Sequence, residues 1–91
     1  MGKDDYCFIY VVLLDLPPAY KKPGVYVGTT KELPLERFLK HKRGEHASRW
    51  VRRFGVRVIE TRSVRCKDAM IEEERMARRY RKLGCEVKGG H

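Results

Sequence analysis

The sequence predicts an α/β (α+β) domain on a small, three-stranded, largely antiparallel sheet with flanking helices, in the order strand, strand, helix, helix, strand, helix. An apolar run with no polar face, a Pro- and Gly-rich interruption after it, and a long helical stripe ending on Gly point to that order. Tyr6–Asp15 (YCFIYVVLLD) is β-branched, aromatic and apolar on both alternating faces, as a central strand covered on both sides must be. Leu16–Gly24 (LPPAYKKPG) holds three prolines, which end the strand and make a loop too long for a tight hairpin. Val25–Thr30 (VYVGTT) resumes as a short strand, where Gly28 has a place only if backbone or ligand comes close.

Pro34 suits the first position of a helix, and Leu35, Phe38 and Leu39 recur at helical spacing up to Gly44. Ala47–Phe54 (ASRWVRRF) forms a second short helix, with Trp50, Val51 and Phe54 on one side and Arg49, Arg52 and Arg53 on the other. Val56–Thr61 alternates in part and is the third strand. Lys67–Leu83 is a long helix stopped by Gly84, with Arg78, Arg79, Arg81 and Lys82 placed to offset the helix dipole. Lys88 and the tail Gly89, Gly90 and His91 are expected to fray.

A chain of 91 residues allows one domain, with its core over about residues 6–87. The apolar run Cys7–Leu14 has eight residues against the ~20 needed to cross a bilayer, so a soluble, cytoplasmic protein without membrane contact is expected. Cys7, Cys66 and Cys85 are odd in number and widely spaced, which suggests neither a disulfide framework nor a Cys-x-x-Cys metal site. Lys and Arg exceed Asp and Glu by 21 to 12, for a formal net charge of +9. The excess is concentrated: seven basic residues (Arg37, Lys40, Lys42, Arg43, Arg49, Arg52, Arg53) and two acids lie between Glu36 and Arg53. Such a positive face attracts polyanions, nucleic acid first among them.

Three constellations could do chemistry. Ala69, Glu73, Met76, Tyr80 and Leu83 step by four and three along one helical stripe, so Glu73 either interrupts an apolar seam or belongs to a solvated run with Glu72 and Glu74. An inward carboxylate must be neutralised, paired or ligated to a cation. Arg37 and His41 share one helical face, as plain surface or as a phosphate fork beside a proton carrier. Tyr10 and Tyr26 share a sheet face if the register suits, as core rings or as hydroxyls that hold water or phosphate. Together these groups supply what phosphodiester hydrolysis needs: a cation site, a positive side chain on the phosphate, and groups that position and deprotonate water. Trp50, among three arginines, either packs in its helix or stacks on an exposed base.

At these residues the chain resembles the GIY-YIG nuclease superfamily. FIY at Phe8–Tyr10 is similar to the first half-motif, with Phe8 where the family shows Gly, and YVG at Tyr26–Gly28 to the second. TTKELPLERFLKHKRG then gives Arg37 and His41 four apart, and DAMIEEE puts Glu73 where the family's metal-binding glutamate falls. HKRGEHASRWVRRFGVR and YRKLGCEVKGG resemble small stand-alone members. The resemblance implies a metal-dependent endonuclease with one Mg²⁺ or Mn²⁺ on Glu73; the partner expected is DNA, whether plain, structured or branched. It implies Arg37 on the scissile phosphate, Tyr10 or Tyr26 on the attacking water, and His41 assisting with the proton or the phosphate. Lys40, Lys42, Arg43, Arg49, Trp50, Arg52 and Arg53 would hold the DNA. The alternatives are a non-catalytic DNA- or RNA-binding module and a subunit active only with a partner. Little beyond the catalytic module is expected in the chain, so selectivity would come from this surface, from a homodimer or from a partner protein.

Overall fold

A computed structural model describes residues 5–90. Strand β1 (Tyr6–Leu14) pairs antiparallel with β2 (Gly24–Thr30) on one side and with β3 (Gly55–Arg65) on the other. The described residues add a fourth strand, β4 (Glu86–Gly89), parallel to β2, so the order is β3-β1-β2-β4 and the sheet is mixed. Three strands were expected, and the fourth lies where the tail was expected to fray; His91 lies outside the described residues. The four residues EVKG are too short and too polar to announce a strand. What makes them one is non-local: Glu86 N–H donates to Pro23 O at 2.8 Å, and Gly90 N–H to Val27 O at 2.9 Å.

Helices cover both sheet faces, which explains why β1 is apolar throughout. On one side α1 (Pro34–Arg43) and α2 (Arg49–Phe54) enclose Tyr10, Val12, Leu14, Phe38 and Val51. On the other, α3 (Ala69–Lys82) packs on Ile9, Val11, Val25 and Val27 through Ala69, Met76 and Ala77. Burying a side chain such as Ile9 or Val27 contributes roughly 1.5–3 kcal/mol. The outer strand β3 is mostly exposed and longer than its apolar alternation suggests. Tyr80 and Arg79 of α3 both donate to the Glu60 carboxylate on β3, at 2.6 Å from Tyr80, tying helix to edge strand.

Two helix faces depart from the apolar pattern. The buried side of α1 is Pro34, Phe38 and His41, whereas Leu35 is 64% and Leu39 45% exposed. The helix is turned so that an imidazole with two polar partners goes inward and the leucines stay out. Gly44 ends α1 in the left-handed region (φ 84°), which an L side chain rarely adopts. On α3 the inward stripe is Ala69, Glu73, Met76 and Ala77, with Tyr80 half-buried and Leu83 exposed.

The cysteines also depart from expectation. Cys7 and Cys66 form a disulfide across 59 positions, and Cys85 is a free thiol. Sequence spacing cannot show it, but strand register does: Cys7 pairs with Val64, so Cys66 lies two positions on and on the same side of the chain. Cys66 N–H donates to Asp5 O at 3.0 Å and fixes the turn into α3. Among the described residues, no helix is long and apolar enough to cross a membrane.

Candidate active site

The β1–β2 register sets the two phenols. Val12 faces Tyr26 and Tyr10 faces Gly28, so Tyr10 and Tyr26 project from the same face, with ring centroids 6.1 Å apart. A Cβ at position 28 would stand 2.8 Å from the Tyr10 hydroxyl and 2.8 Å from Tyr26 Cε2. Gly28 is therefore the space in which the two rings meet, which accounts for a glycine within a strand.

His41 enters from α1 and is 1% exposed. Its Nε2 lies 2.8 Å from the Tyr10 hydroxyl, and its Nδ1 accepts the Ser48 backbone N–H at 2.8 Å. A backbone amide can only donate, so Nδ1 must be the bare nitrogen and the neutral ring carries its proton on Nε2. His41 thus donates to the Tyr10 oxygen. The neighbouring Tyr26 favours the protonated form of Tyr10, and Tyr10 in turn favours charge on Tyr26. The Ser48 oxygen caps α2 by accepting Trp50 N–H at 3.2 Å, and its side chain favours the charged form of Tyr26. The hydrogen bonds thus run from the Ser48 amide to His41 and from His41 to Tyr10, with the Tyr26 ring 6.1 Å from that of Tyr10.

Electrostatics separates the members of this chain. Burial, and then the Tyr26 charge, push Tyr10 far above the ordinary phenol range. Burial and the Glu73 carboxylate raise Tyr26 above the ordinary phenol value, an effect that Ser48, Tyr10 and the Arg37 charge offset only in part. Burial, reinforced by Arg37, lowers His41 to about 4. At neutral pH His41 is therefore an uncharged donor, not the near-neutral proton carrier expected of an exposed imidazole.

Glu73 approaches from the opposite layer. It is 6% exposed on the inner side of α3, and one carboxylate oxygen accepts from the Thr29 hydroxyl. Thr29 follows Val25 and Val27 on the face of β2 that looks at α3, away from Tyr26. The two layers meet because β4 stops at Gly89, opposite Val27. Beyond that point the Gly28–Thr30 edge of β2 has no strand neighbour on that side among the described residues. A cleft lined by Thr29, Cys66, Ala69, Met70 and Glu73 opens there. Around this edge the Glu73 charge is felt at both phenols, raising each. Thr29 escaped the sequence reading; its one signal is a hydroxyl at an α3-facing position otherwise held by valines.

Arg37 is half-buried, its guanidinium donating to Glu45 O at 3.4 Å and to His46 O at 2.7 Å. Its charge lowers the pKa of Tyr10, Tyr26 and His41. The remaining basic residues divide. Lys40 pairs with Glu32 and Arg43 with Glu45 at 2.9 Å. Lys42 donates to Val51 O, Arg52 O and Gly55 O at 3.0–3.4 Å, closing the C-terminal end of α2. Arg49, Arg52 and Arg53 are exposed and have no ion-pair partner among the described residues. Trp50 is half-buried between Tyr20 and Phe54.

No cluster of three or more His, Cys, Asp or Glu that could hold a metal ion occurs among the described residues. In the cleft at the β2 edge Glu73 contributes a hard carboxylate oxygen, a donor type that suits Mg²⁺ or Mn²⁺ provided water and phosphate oxygens fill the other positions. Comparison with family models, with curated proteins and with solved structures returns no match.

Proposed function

We propose that this chain is a metal-dependent endonuclease hydrolysing phosphodiester bonds in DNA, a small member of the GIY-YIG nuclease superfamily. One observation carries the reading. A buried carboxylate on α3, held by Thr29, stands at an open edge of the sheet whose other face carries the buried Tyr10 and the partly buried Tyr26 beside His41, and the charges of Glu73 and Arg37 act on both phenols. Packing alone has little use for such an arrangement, because each polar group moved out of water costs free energy.

In this reading Glu73 would hold the divalent cation, with Thr29 orienting its carboxylate. Mg²⁺ or Mn²⁺, when bound, supplies neutralisation of the negative charge that develops on the phosphoryl group. Arg37, fixed by two loop carbonyls, binds the scissile phosphate and adds a second positive charge there. Tyr26, a neutral phenol held above the ordinary phenol value by burial and by Glu73, orients the attacking water through its hydroxyl. Tyr10 remains protonated, and His41, itself neutral, holds Tyr10 in place. Arg49, Arg52 and Arg53 contact the DNA backbone with the rest of the basic stretch. A cytoplasmic setting, where DNA is accessible, goes with this reading. The Cys7–Cys66 disulfide fits that setting least well, since reducing compartments keep most thiols open.

The test is incubation with single-stranded, duplex and branched DNA, with and without Mg²⁺ or Mn²⁺, beside a Glu73→Gln control. Cleavage that needs the metal and disappears in the control supports the proposal. DNA binding that survives EDTA, with no cleavage of any substrate, would replace it with a non-catalytic binding module.

A further inference from the structure

A second concave surface lies where the segment after β1 meets α2, lined by Pro17, Tyr20, Arg49, Trp50, Arg53 and Phe54. Its aromatic rings are ordered by one another: Tyr20 meets Trp50 edge-on with centroids 6.3 Å apart, and Phe54 lies 6.1 Å from Trp50 at a 31° tilt. The two charged side chains that line it, Arg49 and Arg53, are both positive. The Arg49 guanidinium is 5.2 Å from the Trp50 ring centre, and that of Arg53 is 5.5 Å from Phe54. The Lys88 ammonium, paired with Glu86 at 3.2 Å, stands 4.3 Å from Trp50 and 4.8 Å from Tyr20. No carboxylate lines the cleft.

We propose that this cleft takes an unpaired base of a DNA strand, stacked among Trp50, Tyr20 and Phe54, while Arg49 and Arg53 turn from the rings to the flanking phosphates. Aromatic faces rimmed by cations and lacking an acid match a nucleotide, which is a flat π-system joined to anions. A concave site also excludes a base held within a duplex stack. The cleft is joined to the phenol site through α2. Ser48, two positions before Trp50, is the residue whose amide sets the His41 tautomer and whose hydroxyl oxygen accepts the Trp50 N–H. Resting on the nuclease reading, the proposal therefore adds a substrate class: DNA with a single-stranded segment beside the bond that is cut.

Trp50 is the sole tryptophan in the chain and reports directly on the cleft. The wild-type protein and Glu73→Gln are titrated in EDTA with a short oligothymidylate, with an abasic strand of equal length and charge, and with a blunt duplex. Saturable quenching of Trp50 emission by oligothymidylate alone, and tighter binding of it than of the abasic strand, are expected. Tyr20→Leu, which keeps the reporter, should weaken oligothymidylate binding by about 5- to 140-fold and leave the abasic strand unaffected. Equal affinity and equal quenching by the thymidylate and abasic strands would overturn the proposal without requiring any variant to fold. Base-dependent quenching in a protein that cuts nothing would sink the nuclease reading and leave the cleft standing. Metal-dependent cutting without base-dependent quenching would do the reverse.

Discussion

Protonating His41 should cost the fold far more than protonating an exposed histidine. The ring is buried, its Nδ1 accepts the Ser48 amide, and an added proton would set two donors against each other. Its folded pKa is lowered from 6.5 to about 4. Between these values the unfolded chain binds a proton that the folded chain refuses. The stabilising contribution is thus complete above pH 6.5 and is lost as pH falls toward 4. At 1.36 kcal/mol per pKa unit the loss is about 3 kcal/mol, a large share of a small domain's stability. Tyr10 and Tyr26, which face the ring, lie above the ordinary phenol value and stay neutral across this range. Urea unfolding at pH 7, 6, 5 and 4 would be compared for wild type and His41→Asn. The asparagine carbonyl can stand where Nδ1 accepts Ser48 N–H but cannot titrate. At pH 7 the variant should be less stable by about 2 kcal/mol, for the lost Tyr10 contact and the smaller side chain. That gap should close as the wild type loses its advantage toward pH 4. Carboxylates shared by both proteins, including Glu60 with its lowered pKa, cancel in the comparison. Parallel acid sensitivity in the two proteins would refute the argument.

Three further outcomes follow from the same geometry. Gly28→Ala should destabilise by roughly 1–3 kcal/mol through overpacking, with a larger fractional loss of cleavage than of stability; an unchanged melting temperature would mean that the phenols have room to move. Reducing Cys7–Cys66 should lower stability by about 4 kcal/mol on the chain-entropy estimate for its loop, read as a drop in the unfolding midpoint on adding dithiothreitol, whereas an unchanged midpoint would deny the bridge a role in stability. Arg37→Gln should lower kcat by about 10²–10³ while DNA affinity changes far less, and an effect confined to affinity would make Arg37 an ordinary phosphate contact.

What the sequence made legible was local. The doubly apolar pattern of Tyr6–Leu14 follows from two helical layers, and Tyr10 and Tyr26 could be paired because side chains alternate along strands. Glu73 could be placed inward because the interval from Ala69 to Met76 is helical. The rest depended on distance along the chain. No local pattern joins Cys7 to Cys66, Thr29 to Glu73 or Val87 to Val25. His41 was misplaced because an apolar residue is the default occupant of a buried helix face, and Leu35 and Leu39 offered that default. The burial of His41 depends on polar partners from β1 and from the start of α2, which the helix pattern does not contain.

Paramagnetic broadening by Mn²⁺ offers the shortest route to the account's core, since it maps distance to the ion whether or not a substrate is present. With one carboxylate as protein ligand, binding should be weak and need millimolar metal. Titration of the wild type should broaden the NMR signals of Thr29, Tyr26 and Tyr10 together, and Glu73→Gln should abolish the effect while leaving the spectrum folded. Broadening that persists in Glu73→Gln, or that centres on Glu72 and Glu74 and spares the two tyrosines, would contradict it.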